Sequence, residues 1–266
     1  MSARERLPVY RWHNPELDYC EGWPIAMEFR LIYDGPLKAS SRRNSRVKDK
    51  HRIRKQLHPQ LAALWNQHPM LNYMKTEVHP ENHALRSMRA EGGWFADPDT
   101  TIMETFARRF SRCGYRFVPL VNAEYSLVCG LDVLFLRRQN PGDLIGNRGD
   151  IDNRIKTFFD ALRIPTDGGE LPRDSVPDIG EDPFFCLVQD DSLITEVRIV
   201  TDRLLRPLKN REEREISTLM AEDDNEVVDH NDVEDDHETE TMSNVVLLVH
   251  VTVKASDVSS KNLPLL

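Results

Sequence analysis

The chain has 266 residues and a mass of 30.8 kDa, with 39% hydrophobic and 30% charged residues and a mean hydropathy of -0.53. That length suits one large domain or two small ones. With no apolar run near the ~20 residues that span a bilayer and no signal-like apolar core, the sequence reads as neither a membrane nor a secreted protein. The net charge of -9 is uneven: residues 211–240 hold 14 acids against Arg211 and Arg214, a local -12, so the rest of the chain is net +3.

Residues 1–26 read as an N-terminal extension. Alternating apolar and polar residues over 27–33 predict a strand, closed by Asp34-Gly35-Pro36. Residues 37–47 form a polar, basic loop, and 48–67 a helix with Ile53, Leu57, Leu61 and Leu64 on one face, interrupted at one turn by Pro59. Nine basic residues fall within 38–55, against Asp49 alone. They read equally as a phosphate-binding stripe or as a solvated helix face. Residues 68–100 read as irregular and 101–113 as a second helix. Two strands, 115–122 and 126–136, suit a hairpin around Asn122-Ala123-Glu124. After a loop at 141–149, Ile155, Phe158, Phe159 and Leu162 mark one face of a helix over 153–163. The Pro- and Gly-rich stretch that follows opens an irregular excursion assigned to 164–189. A strand at 193–200, an acidic insert at 206–243 that reads as disordered, and a closing strand at 245–254 complete the chain. Helices and grouped strands together predict an α+β fold with a mixed or antiparallel sheet, one domain over 27–266 carrying long inserts.

Cysteines 20, 113, 129 and 186 form no CxxC pair, and the nine histidines form no HExxH motif. Reduced thiols in a cytoplasmic protein, without zinc, are the expectation.

The chemistry concentrates in Gly149-Asp150-Ile151-Asp152-Asn153-Arg154-Ile155-Lys156, just before and into the third predicted helix. On extended backbone, residues i and i+2 point to one side, so Asp150 and Asp152 would converge. Hard divalent cations such as Mg²⁺ take such oxygens together with water and substrate phosphate. Asp190 and Asp191, at the mouth of the next strand, supply further candidates. Each feature also has an ordinary structural role: acids before a helix cap it, an Asp-Asp pair opens a turn, and Lys156 lies four residues from both Asp152 and Asp160, within reach of a helical ion-pair ladder.

Taken together, GDIDNRIKTFFDAL and the later QDDSLITEVRI resemble the RusA family of Holliday junction resolvases (crossover junction endodeoxyribonucleases). That family carries an Asp-x-Asp-Asn-x-x-Lys-x-x-x-Asp-Ala-Leu helix start and a later Asp-Asp before a strand. Asp150, Asp152, Asn153, Lys156, Asp160, Ala161, Leu162, Asp190 and Asp191 hold those places. Val249-His250-Val251-Thr252-Val253 resembles the family's last strand. The N-terminal extension, the stretch 68–112, the excursion and the acidic insert are additions to the family pattern. The resemblance implies a RusA-like mixed sheet with helices packed on it, a homodimer, and a Mg²⁺-dependent (Mn²⁺-tolerant) endonuclease that nicks four-way junctions in DNA recombination and repair. Asp150, Asp152 and Asp191, with Asp190, would hold the metal. Lys156 would act on the phosphate, Asn153 and Asp160 would support these residues, and Asp160 would partner Lys156. Arg42, Arg43, Arg46, Lys48, Lys50, Arg52 and Arg148 would bind the DNA backbone. Two other readings stand beside this one. One is a nuclease of the same fold acting on other structured or single-stranded nucleic acid. The other is a non-catalytic DNA-binding protein whose acidic insert shields its basic face or engages a basic partner.

Overall fold

A computed structural model describes residues 27–40, 46–76, 100–138, 150–173, 175–205, 244–257, 262 and 265, with the backbone alone at 150. The segments 1–26, 141–149 and 206–243, and the residues Arg42, Arg43 and Arg148, lie outside the described residues. So do Cys20 and most of the stretch assigned as irregular between 77 and 99.

The architecture is mixed α+β. Among the described residues, seven strands form two mixed sheets, and four α-helices pack with them around one apolar cluster. Strand β1 (Met27–Pro36) alternates buried and exposed residues from its first position, as its sequence predicts, and extends through Asp34-Gly35-Pro36 instead of ending there. It pairs antiparallel with the closing strand β7 (Asn244–Ala255), which pairs antiparallel with β4 (Leu127–Arg137). Strand β6 (Ile194–Arg203) adds to β4 in parallel, giving the order β1-β7-β4-β6.

Helix α1 (Val47–Gln67) runs unbroken through Pro59. A proline inside a helix removes one backbone hydrogen bond. Burial on both sides offsets that loss: Ile53 and Leu57 precede the proline, and Leu61, Leu64 and Trp65 follow it, all at most 3% exposed. A second short helix, α2 (Pro69–Thr76), follows directly, where the sequence reading had irregular chain; Leu71 and Met74 anchor it. Helix α3 (Ile102–Arg109) is shorter than predicted. Thr101 caps it, its side chain accepting from the Glu104 N–H at 3.1 Å, and the chain turns at Phe110 into β2 (Ser111–Arg112).

The expected hairpin does not form. Strand β3 (Tyr115–Val121) pairs with β2 and, in parallel, with β5 (Phe184–Val188), whereas β4 belongs to the other sheet. Burial explains the split. β3 and β5 are buried almost throughout, as strands inside a parallel arrangement are, while β4 alternates and leaves one face open. Asn122 makes the turn between them, its Oδ1 accepting from the Tyr125 N–H at 3.0 Å, and Ser126 takes the left-handed conformation at φ 50°. Strand β5 also shortens the excursion assigned to 164–189: Phe-Phe-Cys-Leu-Val is a continuous apolar strand, and its place after a run of Pro and Gly concealed it.

Buried histidines tie α1 to the core. His58 accepts from the Phe185 N–H through Nδ1 at 2.9 Å, so its Nε2 carries the proton donated to the Gly180 carbonyl at 3.0 Å. A second proton would oppose the Phe185 N–H. Burial lowers the pKa of His58, and it pushes His51 and His68 down to about 4. These imidazoles titrate near 6.5 in the unfolded chain, so their contribution is complete above that value and is lost as the pH falls toward 4. Thermal melts are expected to show a falling Tm over that interval; a Tm constant from pH 7 to pH 4 contradicts this.

Candidate nucleic-acid-processing site

Helix α4 (Asp150–Leu162) carries the motif. It begins at Asp150, three residues before the predicted start, and this changes the geometry expected of the acidic pair. Strand alternation would have set positions 150 and 152 on one side; two residues of helix separate them by about 200° around the axis. Convergence of the two carboxylates therefore cannot come from extended backbone. Acids in the first turn do complement the positive end of the helix dipole.

Asp152, Asn153 and Lys156 are exposed. Asp152 and Lys156 stand one turn apart on that exposed face, but no ion pair joins them, and Lys156 pairs with no acid among the described residues. The expected Lys156–Asp160 pair is likewise absent, because Asp160 is engaged elsewhere. Its Oδ2 sits 2.7 Å from Lys50 Nζ on α1, with Arg163 at 3.7 Å. Lys50 is 6% exposed, which removes it from the DNA-binding set. Arg54, buried beside it, donates to the carbonyls of Asp160 (2.7 Å) and Glu170 (3.0 Å). Arg163 holds Glu170 through two bonds, at 2.6 and 2.9 Å. Burial pushes the Glu170 carboxyl up, but Arg163 and the Thr166 N–H outweigh it and hold Glu170 below the usual carboxylate range. Lys50, Arg54, Asp160, Arg163 and Glu170 thus form a buried network that fixes α4 to α1. Arg54, counted in the basic stripe, is thus buried and not part of a DNA-binding surface, and Arg163 and Glu170 had no role in the sequence reading.

Arg52 is half exposed and bonded to Asp49 at 2.5 Å, and Lys55 pairs with Asp178 at 2.6 Å. Much of the basic stripe is therefore spent on internal pairs. Lys48 is exposed at the start of α1. Arg46, in the left-handed conformation ahead of the helix, donates through Nε to the Ala39 carbonyl at 3.1 Å. The loop that leads into α1 is tied to the first turns of α4. The N–H and hydroxyl of Ser40 both donate to the Asn153 carbonyl at 3.3 Å, and the Arg154 guanidinium donates to the Leu37 carbonyl. The basic segment and the acid- and lysine-bearing face of α4 are thereby neighbours, although 113 residues separate Ser40 from Asn153.

Asp190 and Asp191 open a single helical turn, 191–193, that packs beside α4. Chain return at the end of α4 places them: the Ile164 N–H donates to the Val188 carbonyl at 3.2 Å. Asp190 caps this turn, Oδ1 accepting from the Ser192 N–H at 3.0 Å, and hydrogen bonding to Ser192 holds its carboxyl below the usual range. Asp191 is exposed and lies in the field of Arg163. Asp152 and Asp191 have the oxygen chemistry that Mg²⁺ takes, one or two carboxylates completed by water and phosphate. Among the described residues, no three His, Cys, Asp or Glu side chains gather into a metal group, and the Asp150 side chain lies outside them. Also among the described residues, no helix is long and apolar enough to cross a membrane.

Comparison of the chain with family models, with curated proteins and with solved structures gives no match.

Proposed function

We propose that the chain is a Mg²⁺-dependent, structure-selective endonuclease of the RusA kind that resolves four-way DNA junctions by paired nicks, in the cytoplasm. The observation that supports this best is the tie between the basic loop and α4 through Ser40 and Asn153. It brings the basic loop beside the face of α4 that carries Asp152 and Lys156, and neither of these two is consumed by an internal ion pair among the described residues. Arg46 and Lys48 hold the DNA backbone, with Arg42, Arg43 and Arg148 as further contacts. Lys156 places its ammonium against a phosphate oxygen and offsets the charge that builds there during attack. Asp152 and Asp191 would supply carboxylates for Mg²⁺, which would polarise the phosphate and lower the pKa of its water. A homodimer suits the two-fold symmetry of a junction.

A substrate panel tests the selectivity. Cutting confined to the four-way junction supports a resolvase. Equal cutting of single strands or linear duplex replaces it with a nuclease of broader choice. Lys48→Ala is expected to weaken junction binding and to reduce the slope of log affinity against log salt by about one, the signature of one lost phosphate contact. An unchanged slope in a salt titration removes Lys48 from the interface.

A further inference from the structure

We propose that β6 is a self-pairing edge, joining two copies of the chain through antiparallel β6–β6 pairing about a two-fold axis at Val200. Among the described residues, the four-stranded sheet has two edges, β1 and β6. The β1 edge is closed by side chains of α1. Gln60 accepts from the Ile32 N–H at 2.9 Å and donates to the Ile32 carbonyl at 2.7 Å, and Gln56 donates to the Asp34 carbonyl at 3.2 Å. Proteins cover edges in this way because an open one is a template for another strand. β6 has ten residues, neither Pro nor Lys, and no partner on its outer edge among the described residues. Val197 and Val200 on β6 and Leu205 just beyond it are 42%, 38% and 85% exposed, half of the large apolar side chains exposed among the described residues.

The strand is complementary to itself with the axis at Val200 or at Val197, where Arg198 faces the partner's Glu196 twice over. With the axis at Val200, Arg198, which pairs with Asp132 within the chain at 2.9 Å, faces the partner's Asp202 twice over, Val200 faces the partner's Val200, and Ile199 faces the partner's Thr201. An axis at Arg198 sets two arginines opposite each other, and one at Ile199 sets Glu196 against Asp202; like charges directly opposite destabilise a pair. An apolar row, Ile32–Leu248–Leu134–Val200, crosses the open face of the sheet and ends at Val200, which selects that axis over Val197, whose row Phe29–Val251–Leu131 is buried. Pairing there continues it across eight strands.

The inference gives the proposed dimer a surface. Its test needs neither DNA nor metal, so it fails or stands apart from cleavage. Sedimentation of the full chain at micromolar concentration is expected to give twice 30.8 kDa. Val200→Lys and Asp202→Arg are each expected to sediment as monomers at that concentration. The charge exchange Arg198→Asp with Asp202→Arg is expected to restore the dimer. Melting curves on the same samples confirm that each variant is folded. A monomeric wild type, its edge bare or covered by the chain's own 206–243, overturns the proposal. So does a dimer whose mass neither single variant changes.

Discussion

Asp152→Asn is expected to slow junction cleavage by at least about 10²-fold, the scale of losing one interaction with charge that develops in the transition state. The substitution keeps the shape of the side chain and removes the charge that would hold a cation. Asp152 is exposed on the first turn of α4 and bonds to no described side chain. Its loss should cost the fold only its dipole interaction, about 0.3–1 kcal/mol. Junction affinity, measured without metal, should be equal to or slightly above that of the wild type, since a negative charge near phosphate has gone. Single-turnover cleavage and a binding titration on the same preparation separate these effects. Cleavage at the wild-type rate removes Asp152 from the chemistry, whatever the rest of the motif does.

Asp160→Asn is expected to act the other way, on stability. Asp160 and Lys50 are 13% and 7% exposed in their side chains and 2.7 Å apart. Breaking a buried pair from one side leaves the other charge uncompensated, at a cost of about 3–5 kcal/mol. For a domain of this size that corresponds to a fall in Tm of roughly 10 °C. Replacing both partners, Lys50→Met with Asp160→Leu, should recover much of the loss, because the Lys50 charge is then not left unpaired, while Arg163 keeps Glu170. If Asp160→Asn melts with the wild type but loses cleavage, Asp160 supports Lys156 as the motif alone suggests, and the network with α1 is of little consequence.

The contrast between these two acids shows what the sequence revealed and what it concealed. Regular elements with one buried face were legible. β1 alternates strictly, β7 reads as Val-rich chain, and α4 carries its apolar stripe at 155, 158, 159 and 162. Pairing was not legible, because β3 and β4 are adjacent in sequence yet differ in how many faces they bury, and that difference sends them to separate sheets. The basic stripe misled because charge was summed without regard to helix face. Lys50, Arg54, Leu57 and Leu61 follow one another at steps of four, three and four, so the two cations fall on the apolar stripe of α1. That spacing was available in the sequence and marks them as buried. By contrast, nothing in the sequence gives the start of α4 to within three residues, and the geometry of Asp150 and Asp152 turns on those three. Only the folded chain shows Ser40 meeting Asn153.

Cleavage of a synthetic four-way junction by the purified chain, with Mg²⁺ and with EDTA, tests the account most directly. Symmetrically paired nicks across the junction that require Mg²⁺ are the expected result. Binding of the junction with no cleavage in Mg²⁺ or Mn²⁺, or cleavage that persists in EDTA, contradicts it.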